Sequence, residues 1–133
     1  MSLKTWKREF YPLPASRVSK KRALEHTYRK WRGAQKSKLR KHNVCLAECE
    51  GFCCGIADGE KKFYFNRHSC ALCFCYAETT ARFCPKCPLV IVGGADACCL
   101  EDGSPYEHFK RTGDPKPMLR LLRKCMKVYG ERK

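Results

Sequence analysis

The C-terminal segment carries the clearest alternation of apolar and polar positions. Met118, Leu121, Leu122, Cys125, Val128 and Tyr129 recur at spacings of one, three and four, with Arg120, Arg123, Lys124 and Lys127 between them. That period puts the first set on one face of an α-helix and the second on the other. Asp114-Pro115-Lys116-Pro117 supplies the start, because proline is tolerated in a first helical turn. Cys125 falls inside the apolar stripe, so it is expected in the core, where an unmodified cysteine behaves as a small apolar side chain.

The N-terminal third shows a weaker form of the same pattern. Phe10-Tyr11-Pro12-Leu13-Pro14 reads as extended, because each proline biases its predecessor away from the helix. Ser16 or Ser19 can cap a helix running to Trp31, with Leu24, Tyr28 and Trp31 on one face. Arg22, His26, Arg29 and Lys30 fall opposite, and Gly33 ends the helix. A second short turn from Ser37 through Leu39 to His42 completes a helix–turn–helix-like pair. In the middle, Phe63-Tyr64-Phe65 predicts a short strand. Leu89-Val90-Ile91-Val92, closed by Gly93-Gly94, fits either a strand or a buried helical turn.

Charge sharpens this division. Of the 133 residues, 28 are Lys or Arg and 13 are Asp or Glu, a net charge of +15. Residues 1–44 carry 14 bases against Glu9 and Glu25, residues 45–109 five against nine, and residues 110–133 nine against two. The expected organisation is a basic helical arm (1–44), a cysteine-rich centre (45–109) and a basic amphipathic C-terminal helix (110–133). No apolar run reaches the ~18 residues of a bilayer-spanning helix. No apolar stretch follows the basic start in the manner of a secretory signal, so a cytoplasmic location is expected.

Twelve cysteines change the picture most. In a short chain they indicate either a secreted disulfide scaffold or metal binding in a reducing compartment. Two C-x2-C pairs, Cys70/Cys73 and Cys84/Cys87, stand ten residues apart. A C-x2-C turn holds two thiolates on one side of a tight loop, and two such turns complete a tetrahedral zinc shell. Cys45, Cys49 and Cys53 recur every four residues, a spacing that would stack three thiols along one helical face. With Cys54, His68 and Cys98 or Cys99 they form a candidate second zinc site. An iron–sulfur cluster is the competitor for these ligands, and disulfide pairing is the competitor for the whole set.

The expectation for the fold is therefore a small zinc-stabilised α+β fold: basic N-terminal helices, a zinc-ribbon or knuckle centre with short strands, and an amphipathic C-terminal helix. Leu, Ile, Val and Phe total only 25 residues, so a metal is expected to supply much of the stability, and its removal to unfold the centre.

For function, the basic arms point to nucleic acid, whose phosphates Lys and Arg neutralise with release of counterions. The candidate contacts are Arg22, Arg29, Lys30, Arg32, Lys36, Lys38, Arg40 and Lys41, with Arg120, Arg123, Lys124 and Lys127 as a second stripe. Tyr28 and Trp31 lie on the apolar face and are expected to pack rather than stack on bases. DNA and RNA are not distinguished. The alternative is a protein-interaction module whose positive helices meet an acidic partner. Contact of the last helix with an anionic membrane is a third possibility. No enzyme is expected. No phosphate loop, Ser-His-Asp arrangement or H-E-x-x-H occurs, and the two knuckles lie too close to enclose the ββα unit of a zinc-supported nuclease. An all-cysteine shell leaves zinc no open position for water.

One run is Tyr11-Pro12-Leu13-Pro14, Ala23-Leu24-Glu25-His26 and Arg29-Lys30-Trp31-Arg32-Gly33. Another is Cys70-Ala71-Leu72-Cys73 and Cys84-Pro85-Lys86-Cys87-Pro88-Leu89, a following Gly and Cys, then Ser104-Pro105-Tyr106. Together they resemble small cysteine-rich bacteriophage proteins of unassigned function, over about residues 11 to 110. It implies an accessory protein with a zinc-ribbon-like centre in the host cytoplasm, acting on nucleic acid or on a host protein. Cysteines 45, 49, 53 and 54 are not part of that pattern, and it carries no catalytic residues.

Overall fold

The computed structural model describes residues 2–76, 86–94, 97, 101 and 103–130. Helix α1 (Leu3–Phe10) opens the chain, held by a capping box in which Ser2 and Thr5 satisfy each other's backbone N–H groups. Helix α1 is not among the elements expected from the sequence, although Leu3, Trp6 and Phe10 recur at spacings of three and four and line one helical face. Two single 3-10 turns, Ala15–Arg17 and Lys20–Arg22, lead into α2 (Ala23–Arg32), which ends at Gly33 as expected. Helix α3 (Lys36–Lys41) follows.

Three strands then form an antiparallel meander: β1 (Cys45–Cys49), β2 (Phe52–Asp58) and β3 (Lys61–Tyr64). The β1–β2 connection is the two-residue turn Glu50-Gly51, with φ of 54° and 85°. Positive φ at both positions matches the twist of a tight hairpin, and Gly51 adopts it without steric cost. This hairpin corrects the helical expectation for Cys45, Cys49 and Cys53. The candidate strand at Phe63-Tyr64-Phe65 overlaps β3. After a 3-10 turn (Arg67–Ser69) come α4 (Ala71–Tyr76) and α5 (Pro88–Gly93). Helix α5 settles the ambiguity at Leu89–Val92. Helix α6 (Pro105–Thr112) is capped by Ser104, and α7 (Lys116–Gly130) is the predicted amphipathic helix. Asp114 accepts from the Lys116 backbone N–H at 3.0 Å, turning the chain into α7. The architecture is small α+β, helices around a three-stranded sheet. No helix among the described residues is long and apolar enough to cross a membrane.

Aromatic rings form the centre of the core. Trp6 is wholly buried, donates through Nε1 to the Gly33 carbonyl at 2.9 Å, and has Phe10, Phe63 and Phe65 within 6.0 Å. Trp31 stands edge-on to Phe65 and Phe109 at 5.0 and 4.7 Å. Each such ring buries about 150–250 Å², more than a typical aliphatic side chain. A chain poor in Leu, Ile and Val is thereby given a substantial core. A Cβ at Gly33 would lie 2.6 Å from the Trp6 ring and 2.7 Å from Phe10, so glycine is required by close approach. Helix α7 closes the core with Met118, Leu119, Leu122 and Cys125, and Cys125 donates to the Pro88 carbonyl at 3.4 Å. Burial pushes the Cys125 thiol up to about 11, so it stays protonated and apolar in character. Helix α1 is tied to α3 by Glu9, which pairs with Lys41 at 2.9 Å and with the buried His42 at 2.7 Å.

Candidate metal centre and nucleic-acid interface

The turn Arg67–Ser69 delivers Cys70 to the head of α4, and Cys73 follows one turn later. Cys70 is buried and Cys73 half-buried. The Cys70 thiol is pushed down to about 6, first by its hydrogen bond with Cys73. The charge of Lys30 and the backbone N–H groups of Cys73 and Leu72 add to that, against the opposing effect of burial. A thiol held that low is thiolate at neutral pH, the form that ligates metal.

Lys30 carries the first correction to the candidate site. Its place on the polar face of α2 predicts a phosphate contact, but only 1% of it is exposed. Its Nζ donates to the Ser69 carbonyl at 3.0 Å and reaches Ser69 Oγ at 3.4 Å. The ammonium also lies 5.0 Å from the centre of the Phe65 ring. A buried cation is tolerated only with hydrogen bonds and an opposite charge nearby, which here are Ser69 and the Cys70 thiolate. Period-3.6 patterning put Lys30 on the polar face; the contact of α2 with the Ser69–Cys70 turn closes that face at this one position.

Cys87 is buried at the N-cap of α5. Cys84 lies outside the described residues. Among the described residues, no three His, Cys, Asp or Glu side chains converge as a metal-binding group. What is on view of the four-cysteine set is the Cys70/Cys73 pair with its electrostatic support, and Cys87 at the start of the next helix.

The second candidate set is rearranged by the hairpin. Cys49 and Cys54 form a disulfide across β1 and β2, with Cα atoms 5.9 Å apart. Cys53 is buried, and desolvation raises its thiol, which disfavours ligation. Cys45 is exposed and donates to the Ala57 carbonyl at 3.7 Å. His68 is exposed. Cys98 and Cys99 lie outside the described residues. Cys75, beside the first knuckle, donates to the Val18 carbonyl at 3.7 Å.

The other candidate basic residues are distributed differently. Arg22, Arg29, Arg32, Lys36, Arg40 and Lys41 are exposed and Lys38 is half-buried. Arg120, Arg123, Lys124 and Lys127 are exposed along α7. Helices α2 and α7 pack against each other, so stripes some ninety residues apart in sequence become neighbours. The seam is marked by Arg123 Nε donating to the Tyr28 hydroxyl at 3.2 Å, with the Arg32 guanidinium 6.0 Å from the Tyr28 ring centre. Arg29 donates to the Glu9 carbonyl, and Arg22 pairs with Glu25 at 3.5 Å. A cleft opens there, lined by Glu9 and Phe10 of α1, Glu25, Tyr28, Arg29 and Arg32 of α2, and Met126 of α7. Helix α1, absent from the elements the sequence pattern predicts, adds exposed Lys4, Lys7 and Arg8 to the basic surface.

No family model matches the chain, and no curated protein or solved structure is similar to it.

Proposed function

We propose that this protein binds nucleic acid through the joined basic face of α2 and α7, with the Cys70, Cys73, Cys84 and Cys87 thiolates as the ligands of one structural zinc ion. The observation that carries the nucleic-acid reading is the α2–α7 contact. It gathers Arg29, Arg32, Arg120, Arg123, Lys124 and Lys127 on adjoining helices. The α7 residues recur at three, four and seven positions, a stripe about 10 Å long on one helical face. Phosphate binding asks for this kind of array, because each neutralised phosphate releases counterions. The zinc reading is supported by the lowered Cys70 thiol beside Cys73, which is chemistry suited to a thiolate ligand pair.

The test is fluorescence anisotropy with a labelled oligonucleotide across a salt series. With on the order of six phosphate contacts, log K should fall against log salt with a slope near about −5 on duplex and somewhat less on single strands. Charge reversal at Arg120 and Lys124 should weaken binding and flatten the slope. Absence of binding at low salt, together with tight association to an acidic protein, would transfer the same face to the alternative reading of a protein partner.

A further inference from the structure

The cleft at the α2–α7 seam is a recess within the basic face, and its lining is not uniformly basic. It encloses about 390 Å³, within the ~300–1,000 Å³ range of small-molecule sites. Phe10, Tyr28 and Met126 supply apolar and aromatic surface, Arg29 and Arg32 supply guanidinium groups, and Glu9 and Glu25 supply carboxylates, the first already paired with Lys41 and His42 and the second with Arg22. A bare anion is disfavoured beside two carboxylates, whereas the amino group of a base can donate to one of them. Tyr28 is half-buried and held by Arg123 at its hydroxyl and Arg32 near its ring. A pinned ring backed by guanidinium groups is a stacking platform that has already lost its rotamer freedom. A base that is paired and stacked in a duplex cannot enter such a recess, while an unstacked base of a single strand can.

We propose that the cleft seats one unstacked base against Tyr28, with the flanking phosphates on Arg29, Arg32 and Arg123, so that the protein prefers single-stranded over duplex nucleic acid. This rests on the nucleic-acid reading above and names its substrate form. Tyr28 packs against the core, as its place on the apolar face of α2 predicts, and it also lines the recess.

The test uses the full chain, reduced and loaded with zinc, and an oligonucleotide of about a dozen nucleotides, a typical single-strand site size. The same sequence is titrated as single strand and as duplex. Tyr28→Ala should weaken single-strand binding on the order of tenfold or more, the usual loss of one base–aromatic stack. Met126→Trp fills the cleft without removing its Tyr28 wall and should give a similar loss. Tyr28→Phe keeps the ring, loses the Arg123 hydrogen bond, and should stay close to wild type. Duplex affinity should change little in all three, and thermal melts establish that each variant is folded. The proposal is overturned if both cleft variants bind single strands normally, if single strand and duplex weaken in parallel, or if Tyr28→Phe loses as much as Tyr28→Ala. Duplex binding that persists with no effect of the cleft variants removes the cleft alone. No binding of either form at low salt removes the nucleic-acid reading itself.

Discussion

Replacing Lys30 with methionine removes a buried ammonium while keeping an unbranched stem of similar length. In the wild type, Nζ donates to the Ser69 carbonyl at 3.0 Å, and its charge helps hold Cys70 as thiolate, second to the Cys73 hydrogen bond among the stabilising influences. The cost of the substitution therefore depends on whether Cys70 is ionised. The folded thiol titrates at about 6, well below an ordinary thiol. A depressed acid contributes stability that is present above its unfolded value and is lost as pH falls through its folded value. Near pH 8 the thiolate exists, so losing Lys30 breaks a buried charge pair and should cost about 3–5 kcal/mol. Near pH 5 the thiol is protonated, and the loss reduces to a Ser69 hydrogen bond, about 1–3 kcal/mol, partly offset because no ammonium need be buried. Linkage gives a cross-check. If Lys30→Met lets Cys70 rise by one or two pKa units, the gap between the two conditions is about 1.4–2.7 kcal/mol. The assay is urea unfolding of the reduced protein in chelator at both pH values, followed by Trp6 and Trp31 fluorescence. Equal destabilisation at the two pH values would refute the charge pairing of Lys30 with Cys70.

Chelation tests the metal reading. Native mass spectrometry should count one zinc, and its removal should lower the thermal midpoint by on the order of 10 °C if the ion contributes a few kcal/mol. The near-UV signals of Trp6 and Trp31 should survive, since their partners are aromatic rings rather than the knuckles; a protein that binds no metal under reducing conditions sinks the reading. Gly33→Ala forces a methyl into the Trp6 and Phe10 rings and should cost about 1–3 kcal/mol in chemical unfolding, as overpacked core sites do; an unchanged midpoint would contradict the close approach. Glu9 is held below the ordinary carboxylate range by Lys41 and then His42. Its stabilising contribution is present above that range and lost as pH falls through its folded value, so Glu9→Gln should flatten the acid limb of a stability–pH curve while wild type declines steeply.

Legibility in the sequence varied with how local the determining contacts are. The apolar stripe of α7, the end of α2 at Gly33 and the core position of Cys125 could all be read, because helical period and the entropy of glycine act within a few residues. The signature Ser104-x-x-Glu107 marks the start of α6 in the same local way, the Ser104 hydroxyl accepting from the Glu107 backbone N–H. Cys45, Cys49 and Cys53 could not be resolved by spacing, because a period of four keeps side chains on one face of a strand as well as a helix. The turn at Glu50-Gly51 decides for the hairpin: the register sets Cys49 across from Phe52 and Cys53 across from Glu48, and Cys49 bonds to Cys54 at the register shift instead of standing in a row of three.

The low count of aliphatic residues suggested a thin core in need of a metal. The folded chain instead brings Trp6, Phe10, Trp31, Phe63, Phe65 and Phe109 together from both ends and the middle. That convergence leaves no local signature, since the rings come in ones and twos from α1, α2, β3 with its C-terminal end, and α6. The sequence by itself determined where charge and thiols occur and which helices are amphipathic, because those depend on composition and period. Only the tertiary structure decided what the charges do. Packing α2 on α7 joined two basic stripes around Tyr28, and packing α2 on the Ser69–Cys70 turn withdrew Lys30 from solvent. The desolvation that makes Lys30 a partner of a thiolate, rather than of a phosphate, exists only once those surfaces have met.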